Sequence, residues 1–372
     1  MARWVKQFAA LGGLCGIAAL LASSQSPSPL APPSPPQTTL VAVGDIMLGR
    51  RLGETMRRTG DYALPFQNAA SLLAADITFG NFEGTFCEKP PWPTSGMVFR
   101  IHPEAVKSLL AGGFDVVSIA NNHAGDGGDA CIRFTTEHLR ANGIAFAGAG
   151  ASYEDAHKPA ILERNGVKFA FLAYTYAERN DKDVGTGFSR PPPDVPSGAN
   201  RGLLKLAPTS KSPKVPRPVI AGRNVQNVQR DVAAARQQAN VVIVSLHDGA
   251  EYTLRVAKET QEFARAAIDA GAIVVLGHHP HVPQHIEQYN GGWIFYSLGN
   301  FVFQQNTPPA VKHALLARLT FTGAALQKAE ALAGVIESYA RPRPATAEET
   351  TKILKFIGRD TSLLWSAPPN SP

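Results

Sequence analysis

Five short apolar runs in this chain end the same way, each passing at once into residues with carboxylate, amide or imidazole side chains. "TTLVAVGD" ends at Asp45, and "ADITFGNFEG" at Asn81 and Glu83. "FDVVSIANNH" ends at Asn122 and His123. "ANVVIVSLHDGAEY" ends at His247, Asp248 and Glu251, and "AGAIVVLGHHPH" at His278, His279 and His281. Runs of four to six β-branched and apolar residues are strands buried on both faces. Helical patterns lie between them. Residues 103–112 run from Pro103 to the pair Gly112-Gly113, and residues 129–142 stop before Gly143. Residues 224–239 are alanine-rich, and residues 255–270 set Val256, Thr260, Phe263, Ala267 and Ile268 largely on one face before Gly271. Strands alternating with helices predict an α/β layered fold. In such folds the loops after the carboxyl ends of the strands converge on the ligand site, so five distant segments are expected to share one site.

The ends of the chain read differently. "MARWVK" is a short basic segment, followed by a mostly apolar stretch to Ala22 and small residues suited to cleavage after Ser24. Residues 1–24 are therefore expected to be a signal peptide, with an uncleaved membrane anchor as the alternative. Cys15 follows Leu14 rather than a small residue, which argues against a lipoprotein. Residues 25–37 are a proline-rich linker, and the main domain is expected over 38–340. Within it, residues 180–222 hold eight prolines from Pro191 to Pro218. Neither a helix nor a central strand fits there, so the segment is expected to be an insertion, either a lid or a plain excursion. Residues 313–337 read as antiparallel strands, and 341–372 as a C-terminal helix and tail.

The formal net charge is +6, and falls to +4 once Arg3 and Lys6 leave with the signal. No Lys/Arg run is present, so nucleic acid is not an expected partner. An anionic partner suits the mild positive charge. Cys87 and Cys131, 44 positions apart, can form one disulfide in an oxidising compartment but do not make a zinc motif.

Taken singly, Asp45, Asn81 or Asn122 fits an ordinary turn former. Together the clusters offer carboxylates, amides and several histidines. That mixed O/N set suits Zn, Mn or Fe, one ion or two, better than calcium or a thiolate-bound metal. A G-x-S-x-G nucleophile elbow, a P-loop and a G-x-G-x-x-G after the first strand are all missing from the sequence.

In order along the chain, "GDIMLGR", "NFEG", "ANNHAGDGG", "HDGAEY", "GHHPHV" and "SLGNFVF" resemble the CapA family of capsule-synthesis proteins, associated with poly-γ-glutamate. That family lies within the calcineurin-like metallophosphoesterases, and the resemblance covers about residues 39–304. It implies a four-layer α/β/β/α sandwich with metals at the strand ends. It also implies that Asp45 and His281 bind a first metal, that Glu83 bridges, and that Asn122, His247 and His279 bind a second. His123 becomes a general acid oriented by Asp126, and Arg50 a substrate-binding residue. Asn81, Glu251 and His278 are expected as further ligands or as supports of ligands. The pair His279/His281 is chosen over His278 because the superfamily motif is His-x-His and strands alternate their faces, which leaves His278 as a support of a ligand or an outward-facing residue.

Two departures stand out. Met47 occupies a position where the superfamily commonly has a ligating histidine, and the bridging position is Glu83 with Asn81 before it. Glu251 is a candidate for the missing ligand, and Asp248 stands where the family usually has Trp. The expected function is that of an exported, metal-binding hydrolase. It would act in synthesis, export or attachment of an anionic envelope polymer, with a phosphoester substrate or a membrane synthesis complex as partner. Its location would be periplasmic or extracytoplasmic, membrane-anchored if the signal stays. The alternatives are a non-catalytic scaffold subunit and a nucleotidase-like phosphatase.

Overall fold

A computed structural model describes residues 36–176, 218–358 and 364–366. The expected signal peptide, Cys15, nearly all of the linker and most of the insertion, residues 177–217, lie outside the described residues.

Two sheets face each other. Among the described residues, the first contains nine strands. Its central parallel part runs Gln37–Ile46, Ile77–Phe82, Val116–Ser118, Ala145–Ala147. On its other side, His313–Thr322, Ala325–Glu337 and Arg341–Pro344 continue antiparallel. The second sheet has six strands. Its order is Ile286–Tyr289, Gly292–Phe295, Val274–His278, Val241–His247, Val167–Thr175, Ala160–Arg164.

Strand alternation sorts the apolar side chains into three layers. Leu40 and Ala42 point between the sheets, with Phe79, Phe169, Phe171, Ile243 and Leu276. Val41 and Val43 point outward, into a layer with Leu52, Val106, Leu109 and Leu139 from the helices Arg50–Thr59, Val106–Ala111 and Gly128–Ala141. Ala170, Leu172, Val242 and Val244 back onto Val228, Val232, Phe263 and Ala267 of the helices Val225–Ala235 and Lys258–Asp269. This is the four-layer α/β/β/α sandwich. It continues past residue 340. Arg341–Pro344 pairs with the preceding strand. The helix Ala347–Phe356, opened by a reciprocal Thr346/Glu349 cap, buries Ile353 and Leu354.

The helix expected from residue 255 starts at Lys258, and the one from 103 opens as a 3-10 turn over Pro103–Ala105. Of the segment expected to be an insertion, only residues 218–222 are described. Val219–Ile220 forms a two-residue strand against Ala149–Gly150, a peripheral pairing that the prolines before it do not forbid.

The two sheets are stitched together beside the site. The segment Tyr296–Asn300 leaves the second sheet and pairs with the end of the first strand. Leu298 N–H donates to Gly277 O (3.0 Å), and Asp45 N–H donates to Gly299 O (2.9 Å). A Cβ at Gly44 would lie 1.9 Å from Gly299 O, and one at Gly277 would lie 2.0 Å from Tyr296 O. Glycine before Asp45 and before His278 is thus a requirement of the crossing. Among the described residues no helix is long and apolar enough to cross a membrane.

Candidate metal centre

Register places the polar residues side by side. Asp45 pairs with Asn81 in the first sheet, and His247 with His278 in the second. Where the two sheets face each other, these strand ends and the loops after them meet. Asp45, Glu83, His247, His278, His279 and His281 are all buried. One potential ligand atom each from Asp45, Glu83 and His281 lies within 4.8 Å of the others.

Hydrogen bonds fix several orientations. The Asn81 amide donates to Asp45 Oδ1 (2.9 Å), which a carboxylate can only accept, so its other N–H faces His247 Nδ1 at 3.1 Å. His247 therefore accepts at Nδ1 and carries its proton on Nε2, 2.9 Å from Asn122 Oδ1. Asn121 donates to Asn81 Oδ1 (3.3 Å) and Phe82 O (2.8 Å), and its own Oδ1 accepts from the His123 N–H (3.1 Å). The Asn300 amide donates to Gln305 Oε1 (2.9 Å) and Val311 O (3.1 Å), so its Oδ1 accepts from His281 Nδ1 at 2.9 Å. His281 Nε2 is thereby turned toward Glu83, 3.9 Å from Oε1.

Sequence reasoning missed Asn121 and Asn300. "SLGNFVF" contains Asn300, but only the crossing of that segment brings it against His281. The two histidines of the His-x-His pair lie beyond the strand, which ends at His278. His279 (φ +95°) and His281 (φ +58°) are in left-handed backbone around Pro280, so strand alternation is not what pairs them. His278 does not face outward. It is fully buried with Nδ1 3.5 Å from Asp45 Oδ1, and among the described residues neither ring nitrogen has an aligned hydrogen-bond partner.

The remaining expected residues fall around this group. His123 Nδ1 meets Asp126 Oδ2 at 2.8 Å, and its Nε2 lies 3.8 Å from Glu83 Oε1. The Arg50 guanidinium sits 4.5 Å over the Phe99 ring. Glu251 is half-buried and falls outside the converging Asp45/Glu83/His281 group. Its charge nevertheless reaches Glu83 and His281. Met47 is fully buried in a small apolar cluster with Phe99 and Phe303, where a thioether fills space. Asp248 accepts from Thr260 Oγ1 (2.8 Å) and faces Arg223 (3.2 Å) on the other side of the strand end.

Burial and crowding push the titrating groups apart. Burial raises Glu83, and the Asp45 carboxylate raises it further, well above the usual carboxyl range. Burial also works against an ionised Asp45, but the His278 and His281 imidazoles beside it outweigh burial and hold Asp45 well below its ordinary value. Burial lowers His281, yet Glu83 and Asp45 carry it up to about 9. His279, buried and beside His281, falls to about 3, and burial beside His279 pushes His247 well down.

A divalent cation fits this donor set. Among the described residues, neither Glu83 carboxylate oxygen nor His279 Nδ1, all buried, has a hydrogen-bond partner. Such groups are costly unless something positive sits between them. His281 Nε2 has its imidazole fixed by Asn300 behind it, the support a ligating histidine normally has.

The model of one protein family, described as bacterial capsule synthesis protein PGA_cap, matches residues 39–305. The chain belongs to this family. The PGA_cap domain therefore spans the first strand through the crossing segment and carries every residue of the centre. The capsule biosynthesis protein CapA of Bacillus anthracis is 31% identical over 338 residues, covering 88% of this chain and 75% of that protein. The PGA biosynthesis protein CapA of Bacillus subtilis (strain 168) is 34% identical over 268 residues, covering 71% of this chain and 62% of that protein. The PGA_cap chain thus spans less than two thirds of the B. subtilis relative. A solved structure, TT1561 of Thermus thermophilus, aligns over 80% of this chain and 98% of its own, with 9% identity and a TM-score of 0.39.

Proposed function

We propose that this PGA_cap protein is an exported, metal-dependent hydrolase. It acts in the synthesis, export or attachment of an anionic envelope polymer such as poly-γ-glutamate. The observation that carries the reading is Glu83, a fully buried carboxylate with neither oxygen hydrogen-bonded among the described residues, beside Asp45 and several histidines. The names of the Bacillus relatives support the polymer, and the Cys87–Cys131 disulfide supports an oxidising compartment.

Asp45, Glu83 and His281 would hold one ion. A second would be held by Asn122 Oδ1 and His279 beside Glu83, with His247, whose two ring nitrogens are engaged by Asn81 and Asn122, orienting Asn122 rather than ligating. A divalent ion here would supply Lewis-acid polarisation of a phosphoester or related bond. The chain's own residues do the rest. Asp126 accepts the Nδ1 proton of His123, so a charged imidazole carries its other proton on Nε2, toward Glu83. From there it is delivered to a departing oxygen, and His123 is left neutral with its proton on Nδ1. Arg50, whose Nε is buried without a hydrogen-bond acceptor, offers a guanidinium to an anionic substrate group.

The test is a panel of phosphoester, amide and γ-glutamyl substrates with the Zn-, Mn- or Fe-loaded chain. Turnover should fall about 100- to 10,000-fold in His123→Ala while metal is retained. Turnover equal to wild type would contradict the assignment. Met47, packed against Phe99 and Phe303, favours one competing reading, a scaffold subunit with a reduced site. Metal binding without turnover of any substrate in the panel would establish that reading instead.

A further inference from the structure

The proton-donor pair leans on a residue that no motif singles out. Phe99 is buried and touches the site in four ways. Its ring stacks on the His123 imidazole, with centroids 3.8 Å apart and planes 25° apart. Its N–H donates to Asp126 Oδ2 at 2.6 Å, the same oxygen that meets His123 Nδ1. Its C=O accepts from Thr85 N–H at 3.0 Å, two residues beyond Glu83. With one ring face covered by His123, the Arg50 guanidinium, 4.5 Å from the centroid, is left the other. Gly84 (φ +144°) makes this approach possible, because a Cβ there would lie 2.9 Å from Phe99 O.

We propose that Phe99 is the positioning residue of the His123–Asp126 pair. Its backbone fixes the carboxylate and its ring fixes the plane of the imidazole. Among the described residues, the imidazole's hydrogen bond is at Nδ1, and a single hydrogen bond leaves it free to tilt about that contact. The ring removes that freedom and keeps Nε2 aimed at Glu83. Met47 then has a purpose that does not involve ligation. With Phe303, 5.6 Å from Phe99 by ring centroid, it forms the wall that seats the Phe99 ring.

The inference rests on His123 as proton donor, and the test separates the two claims. Phe99→Leu keeps apolar volume and the backbone hydrogen bonds but removes the ring, whereas Phe99→Tyr keeps the ring. In the metal-free, isotope-labelled full chain, the His123 Nδ1 proton is assigned by its loss in His123→Gln. It should resist exchange with solvent in wild type and Phe99→Tyr, and should exchange too fast to observe in Phe99→Leu. With p-nitrophenyl phosphate as probe, Phe99→Leu should lower kcat about 10- to 100-fold at unchanged KM, and Phe99→Tyr should restore it. A protected proton in Phe99→Leu overturns the proposal whatever the activity. Equal loss in Phe99→Leu and Phe99→Tyr also overturns it. A His123→Ala variant with wild-type turnover would instead remove the catalytic reading while leaving the exchange result to decide the positioning claim.

Discussion

The two halves of the centre are held by different means. The first sheet supplies Asp45, Asn81, Glu83 and the Asn121–Asp126 loop. That half is braced by side-chain amides, by Phe99 and by a covalent link. The disulfide joins Cys87, four residues after Glu83, to Cys131 in the helix that follows the His123 loop. Gly127 fits tightly against both sulfurs, since a Cβ there would lie 2.4 Å or less from each. The second sheet supplies His247, His278, His279 and His281 and, among the described residues, has no covalent link of this kind. Its loop is held by left-handed backbone at His279 and His281 around a proline, a conformation that costs an L-residue about 1–2 kcal/mol per position. The contrast follows from the chemistry. Carboxylates and amides can be oriented by donors from neighbouring strands. An imidazole that must leave one ring nitrogen open can give only the other to a side chain, as His281 gives Nδ1 to Asn300, and the backbone sets the rest.

Breaking the brace on one side should show how far the halves are independent. Replacing both cysteines (Cys87→Ser with Cys131→Ser) should lower unfolding stability by about 4 kcal/mol in the chain-entropy model, measured by denaturant titration. An unchanged midpoint would show that the link adds nothing to the first half. Asn81→Ala is the next largest change. It strips Asp45 of one donor and His247 of the group that fixes its ring, and should weaken metal affinity about 10- to 100-fold. Calorimetric titration with Zn or Mn checks this, and an affinity equal to wild type would show that strand register alone sets these two side chains.

The smallest effect concerns protons on the imidazole side. The folded-state value for His281, about 9, lies above the ordinary imidazole value of about 6.5. In the metal-free protein its stabilising contribution is therefore complete below about pH 6.5 and is lost as pH rises through about 9. A metal ion replaces that proton, so affinity should rise up to tenfold per pH unit below about pH 9. Calorimetry in buffers of different ionisation enthalpy should show proton release on binding, and its absence would remove His281 from the ligand set.

The layered fold was legible because its central strands are buried on both faces and therefore read as unbroken apolar runs. Asp45, Glu83, Asn122 and His247 were legible because each follows such a run directly. Asn300 and Phe99 were not, since each reaches the centre through a crossing or a two-residue pairing, Thr85 with Arg100 and Phe86 with Ile101, too short to leave a pattern. The orientation of His278 was hidden for a related reason. Alternation holds only inside a strand, and the chain leaves the strand after that residue.

The measurement that bears most directly on the proposed centre is the metal content of the purified chain beside Glu83→Gln, by elemental analysis after loading with Zn, Mn or Fe. The substituted amide would keep the shape and remove the charge, at a cost to binding of about 3–5 kcal/mol. Wild type should retain at least about one equivalent of metal, and the folded variant should lose it. No metal in wild type, or equal metal in both, would contradict a cation centre built around Glu83.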